Sequence, residues 1–262
     1  MTPAARLTIE QHERVLLLTI DNPGQRNALS PDIYRTGAAT LLAASTDPAI
    51  GAIILTGAGE HFCSGGNLNR LRANREKHPA AQRDSVNLLN HFILALRGCH
   101  KPVIAAVEGN AAGAGCALAL GCDLIVAADN ARFIMAYVKV GLSPDGGASA
   151  FLARALPPQL AMELLLDGAP ISAERLHQLG VVNKIVAAGE ALNQAKDWAA
   201  RLANGPQAAQ ARIKQLVHRA YDTELANQLL LESDGMVKGV HHPEAGEGIA
   251  AFLEKRKPKF VG

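Results

Sequence analysis

Three glycine-bearing segments hold the residues best suited to chemistry. The longest, residues 101–133, reads KPVIAAVEGNAAGAGCALALGCDLIVAADNARF. A buried strand there enters a loop holding Gly109, Gly113 and Gly115, and a short helix over residues 116–120 leads into the next strand. Glycines let a ligand approach the backbone closely, and the first amides of a helix lack intrahelical acceptors, so this junction suits an anion or a developing oxyanion. The second segment, residues 51–68 (GAIILTGAGEHFCSGGNL), repeats the plan: a strand, a glycine turn, then Ser64, Gly65, Gly66, Asn67 and Leu68. Two such loops, each following a buried strand, point to a shared ligand, because ligands collect at the strand ends of a parallel sheet. The third segment, residues 140–149, carries Asp145 before Gly146 and Gly147. A carboxylate there can act as a general acid or base; the competing reading is an N-cap for the helical run to Ala155.

Other loop chemistries do not fit. A dinucleotide fingerprint needs glycine three residues after Gly115, where Leu118 stands, and no Gly-Lys-Ser or Gly-Lys-Thr supplies a phosphate loop. Ser64 is no nucleophile elbow, because Phe62 stands where that turn needs glycine.

Apolar runs of strand length at residues 15–20, 52–56, 102–107, 124–128 and 181–186 supply the elements that position these loops. Helical segments lie between most of them; one opens with Ser30 as N-cap and Pro31 at the first helical position and runs to Asp47. Continuous apolar strands alternating with helices predict an α/β fold with a largely parallel sheet covered on both faces. After about residue 189 only helical spacing remains. Leu192, Ala195, Ala199 and Leu202 mark one face, Ile213, Leu216 and Val217 a second, and Leu225, Leu229 and Met236 a third. The sequence therefore divides into a core over residues 1–195 and a helical region over 196–262. A region of roughly 65 residues is too small for a strong core of its own and must pack on the α/β part or on a neighbouring subunit.

With 48% apolar residues the chain can bury enough surface to exclude disorder. A net charge of +2 and ten aromatics argue against a nucleic-acid partner. No apolar stretch reaches the roughly 18 residues of a spanning helix, and the amino terminus lacks the pattern of a secretory signal. Cys63, Cys99, Cys116 and Cys122 form no CxxC pair, and four in so long a chain make no disulfide framework. The expectation is a cytoplasmic protein with buried thiols, no membrane span and no metal.

Taken together, the three segments resemble the enoyl-CoA hydratase/isomerase, or crotonase, superfamily. The likeness runs nearly end to end, through Asn22-Pro23, Asn27-Ala28-Leu29, residues 62–68, 102–123 and 141–147, and Asp167-Gly168 followed by residues 171–174. It implies a spiral of ββα units with a helical carboxyl-terminal trimerisation region, trimers often pairing into hexamers. It also implies an acyl-CoA thioester as substrate, with coenzyme A part of that substrate and no separate cofactor. The thioester carbonyl would sit between the backbone amides of Gly66 and Ala114, a placement suited to an enolate oxygen. Arg26 and Ala28, with Ser64, Gly65, Asn67 and Leu68, would flank the CoA nucleotide. Seven basic residues over 70–101 against Glu76 and Asp84, and Lys255, Arg256, Lys257 and Lys259 in the tail, are candidate partners for its phosphates.

Hydratases of this superfamily handle water with two glutamates, and the matching positions here are Ala117 and Tyr137. Members resembling the 1,2-epoxyphenylacetyl-CoA isomerase subgroup carry Pro-Asp-Gly at the position of Asp145 and share the Ala-Ala-Gly-Ala-Gly run of residues 111–115. The resemblance thus implies an acyl-CoA isomerase that shifts a double bond or rearranges a ring, with Asp145 as proton shuttle and Tyr137 beside the substrate. The alternatives are a hydratase with a different water-handling arrangement, a hydrolase or dehalogenase-type enzyme with Asp145 as nucleophile, and a noncatalytic acyl-CoA-binding protein. Residues 70–96 would shape the acyl pocket, with Val86, Leu89, Ile93 and Leu96 as its apolar face and His91 either lining it or lying on the surface.

Overall fold

The computed structural model describes residues 5–260. Among these the strands are β1 (Arg6–His12), β2 (Val15–Asp21), β3 (Ala52–Gly57), β4 (Val103–Val107), β5 (Asn110–Ala112), β6 (Leu124–Ala128), β7 (Arg132–Ile134), β8 (Pro170–Ser172) and β9 (Lys184–Val186). The α-helices are α1 (Pro31–Thr46), α2 (Leu68–Arg75), α3 (Ala80–Gly98), α4 (Ala114–Gly121), α5 (Ala148–Ala155), α6 (Pro158–Asp167), α7 (Ala173–Gln178), α8 (Ala191–Ala203), α9 (Gln207–Arg219), α10 (Leu225–Val240) and α11 (Pro243–Leu253). Six strands form one sheet in the order β1-β2-β3-β4-β6-β9, parallel throughout except for the β1-β2 hairpin. A second, smaller sheet has the order β5-β7-β8.

The expected two-sided burial is visible residue by residue, because alternate side chains of a strand point to opposite faces. Leu16, Leu18, Ile53, Leu55, Val103 and Ala105 face the main core. Their neighbours Val15, Leu17, Ala52, Ile54 and Ile104 face Ala191, Ala195, Ala199 and Ala203 of α8. A four-residue spacing of alanines gives α8 one small-residue stripe, which lets it lie close to the sheet. Glu108 fixes its start, accepting from the amides of Ala191 at 2.9 Å and Gly189 at 3.0 Å. Residues 195 and 196, where the sequence suggests a division, lie in the middle of this helix.

Helix α1 begins as expected, with Pro31 in its first turn and Ser30 Oγ accepting from the Ile33 amide at 3.3 Å. The run at 181–186 yields a shorter strand than expected. The amides of Val181 and Val182 both bond back to Leu176 O, so they close α7 and leave only Lys184–Val186 for the sheet. Beyond α8, Lys214 of α9 reaches into the core, with Nζ 2.7 Å from Asp123 Oδ2 and donating to the carbonyls of Leu96 and Lys101. Helices α10 and α11 instead leave Leu225, Leu230, Met236, Phe252 and Leu253 exposed. No helix among the described residues is long and apolar enough to cross a membrane.

Candidate active site

The two glycine loops are held side by side by the ladder of the second sheet, which extends beyond its strands. Cys63 bridges Ala111 of β5 and Gly66 bridges Leu29, both in parallel register. The Ala112 amide donates to Cys63 O at 2.8 Å, that of Cys63 to Asn110 O at 3.1 Å, and that of Leu29 to Gly65 O at 2.8 Å. Asn27, only 1% exposed, bonds to the backbone of Asn22, Ala58 and His61 and so ties the loop of residues 22–29 to the turn that precedes the second glycine loop. Ala114 opens α4, so its amide has no acceptor inside the helix. Among the described residues neither the Ala114 nor the Gly66 amide donates a hydrogen bond within the protein.

Gly65 keeps one of these donors open. Its φ is +86°, and a Cβ there would lie 2.6 Å from Ala112 O and 3.2 Å from the Ala114 amide nitrogen. A side chain would therefore sit over the donor it needs to leave free. Gly115, expected in the loop, lies instead in the first turn of α4.

Both amides border a cavity of about 470 Å³ that is also lined by Tyr34, Arg70, Leu89 and Asp145. Asp145 does not cap α5. The N-cap is Gly147, in the left-handed conformation, which leaves the Asp145 carboxylate turned to other use. Tyr137, from the 3₁₀ helix Ala136–Val140, donates its hydroxyl to Asp145 Oδ1 at 2.8 Å. Burial pushes the Asp145 carboxyl above the ordinary carboxylate range, opposed by the Tyr137 hydrogen bond. Burial, then the negative charge of Asp145, pushes the Tyr137 phenol up. Burial likewise pushes Tyr34 up to about 12, with Arg70 opposing and Asp145 adding to the rise. Both phenols therefore stay protonated at neutral pH and remain donors.

Ala117 is fully buried, and a Cβ at Gly146 would lie 3.3 Å from its methyl group. The turn beside Asp145 thus closes over the place where a carboxylate on α4 would project. What remains is a pair of free amides that can receive an oxyanion, and one carboxylate with a raised affinity for a proton.

Of the residues singled out in the sequence, Ser64, Gly66, Leu68, Ala114, Tyr137 and Asp145 share this cavity. Arg26, Ala28, Gly65 and Asn67 stand outside its lining. Arg26 is exposed, Ala28 is buried, and Asn67 caps α2 by accepting from the Arg70 amide at 3.1 Å. Val86 and Leu89 line the cavity, Ile93 and Leu96 belong to the core behind it, and His91 faces out from α3 into solvent. Arg256 of the tail is held by Glu247 and Glu254. Arg70 opens the stretch expected to shape the acyl pocket and is one of the basic residues expected near the CoA phosphates, whereas Tyr34, a tyrosine on a helix, carries no local sign of a shared cavity.

Comparison with known proteins places nearly the whole chain in one family. The sequence matches the enoyl-CoA hydratase/isomerase family over residues 10–262. It is 36% identical over 253 residues to the 1,2-epoxyphenylacetyl-CoA isomerase of Escherichia coli K12, covering 95% of each chain. It is 33% identical over 262 residues to the 2,3-dehydroadipyl-CoA hydratase of the same organism, covering 98% of this chain and 99% of that one. The crystal structure of an enoyl-CoA hydratase from Polaromonas sp. JS666 superimposes with a TM-score of 0.95 at 50% identity, covering 97% of this chain and 99% of that one.

Proposed function

The chain belongs to the enoyl-CoA hydratase/isomerase family and has its crotonase fold, and from that premise we propose that it is an acyl-CoA isomerase in which Asp145 carries the proton. The observation that carries this reading is the cavity's pairing of one carboxylate of raised proton affinity with two free amides, while Ala117 and Tyr137 stand where water-handling glutamates would. The thioester oxygen is received by the Gly66 and Ala114 amides. Asp145 removes a proton from the carbon next to the thioester, the resulting enolate charge rests on that oxygen, and the same carboxyl returns the proton further along the conjugated chain. Bonds and charges balance without a water molecule.

Coenzyme A enters as part of the substrate, with Arg26, Ala28 and Asn67 on the loops nearest its nucleotide. The exposed apolar side chains of α10 and α11 support assembly into a trimer or hexamer.

A second reading, hydration, is favoured by the hydratase names among the similar proteins. Product mass separates the two. Incubation with 3-enoyl, 2-enoyl and epoxyphenylacetyl CoA esters should give a product of unchanged mass for at least one ester; addition of water to the 2-enoyl ester, with no isomer from any, overturns the isomerase reading.

A further inference from the structure

One charged group in the cavity is left without a role by this chemistry. Arg70, in the first turn of α2, lines the cavity, yet its Nε and Nη1 are buried and meet no hydrogen-bond partner. Among the lining residues it is the only cation, and the only anion, Asp145, is bonded to Tyr137 instead. Its guanidinium lies 5.8 Å from the centre of the Tyr34 ring, a contact that offsets part of its desolvation and leaves Nε and Nη1 unmet. A guanidinium carries five donors and no acceptor, so those on the two buried, unmet nitrogens of this half-buried side chain leave a penalty that a bound anion would remove. Gln82 and Ser85 of α3 line the same cavity and add polar groups to it.

We propose that Arg70 selects acyl groups ending in a carboxylate, binding the end remote from the thioester while Asp145 works at the near end. This rests on the acyl-CoA reading of the cavity. A carboxylate fits a guanidinium fork in a bidentate way, and a turn of the terminal torsions would present those nitrogens to the cavity that Arg70 lines.

The test uses saturated esters, which cannot isomerise. Calorimetry would compare succinyl-, glutaryl-, adipyl- and suberyl-CoA with butyryl-, pentanoyl-, hexanoyl- and octanoyl-CoA. In the unaltered protein at least one ω-carboxyl ester should bind about tenfold tighter than its uncharged counterpart, as expected for charge-assisted hydrogen bonds. Arg70→Met should erase that preference while leaving the uncharged esters within about twofold, and Arg70→Lys should restore only part of it. No preference in the unaltered protein overturns the proposal even if Arg70→Met does not fold. Equal weakening of both series in Arg70→Met places the guanidinium on the CoA phosphates and overturns it as well. Failure of every ester to bind removes the acyl-CoA reading itself, a result distinct from binding without preference.

Discussion

The Tyr137 hydroxyl donates to Oδ1 of Asp145 at 2.8 Å, joining the 3₁₀ helix to the glycine turn that follows it. One carboxylate oxygen is thereby anchored in a residue that lines the cavity. The bond also opposes the burial that raises the carboxyl's proton affinity. Position and acidity of the proposed shuttle thus depend on the same phenol.

Removing that phenol should move the pH profile. Asp145 acts as a base only when ionised, so activity falls as pH drops through its pKa. Tyr137→Phe removes a lowering influence, so the acid limb of kcat/KM should shift to higher pH, with kcat reduced even on the plateau. An acid limb unmoved in the variant would mean that the two side chains are not coupled during turnover.

Asp145→Asn should lower isomerisation by about 10²–10⁴-fold, the usual contribution of a positioned acid or base, while calorimetry shows acyl-CoA binding nearly intact. Stability supplies an independent readout. A carboxyl whose native pKa lies above its unfolded value opposes folding once both states are ionised, so the variant should melt at a higher temperature than the parent at neutral pH. The difference should vanish below the ordinary carboxylate range, where the parent is protonated in both states. An Asp145→Asn protein of full activity would end the assignment.

The neighbouring glycines should respond differently. Gly65→Ala places a methyl group against Ala112 O and over the Ala114 amide in a left-handed conformation, which should cost about 1–3 kcal/mol of stability and reduce kcat by about 10²–10³-fold. At Gly66 a Cβ meets nothing within 4 Å, so Gly66→Ala should keep the parent's melting temperature and change chiefly KM. Equal losses in kcat for the two variants would show that access to the Ala114 amide is not what Gly65 protects.

Lys214→Met keeps the aliphatic stem but leaves Asp123 and two buried carbonyls short of a donor. Loss of one partner from a buried pair costs about 3–5 kcal/mol, which urea unfolding would register as a lower midpoint. His218 Nε2, 3.3 Å from Asp123 Oδ1, stays beside that carboxylate in the variant. A midpoint within error of the parent would mean that α9 is held by its apolar contacts alone.

Much of this architecture was legible in the chain because the central strands are buried on both faces and read as unbroken apolar runs. Strands β5, β7 and β8 were not, since three residues are too few to display an alternation, and their pairing depends on partners far away in sequence. Asp145 was visible beside its glycines, but only the left-handed Gly147 shows that it does not cap a helix. His91 and Leu89 illustrate a further limit. Both fall in the apolar stretch of α3, yet they lie two residues apart on a helix, so the register that turns Leu89 inward turns His91 out. Tyr34 is brought to the cavity only by the packing of α1, which no local pattern records, whereas Arg70 opens the stretch that the sequence already assigns to the acyl pocket.

Asp145 is also the sole carboxylate on the cavity's walls, and it approaches from one side. A hydrogen lifted by that group can be set down again only on the face of the carbon chain from which it came. The proposed isomerisation is therefore suprafacial, and the migrating atom is the substrate's own to the extent that the sheltered carboxyl keeps it from exchanging with water. The asymmetry of one wall is thus written into the stereochemistry of the product.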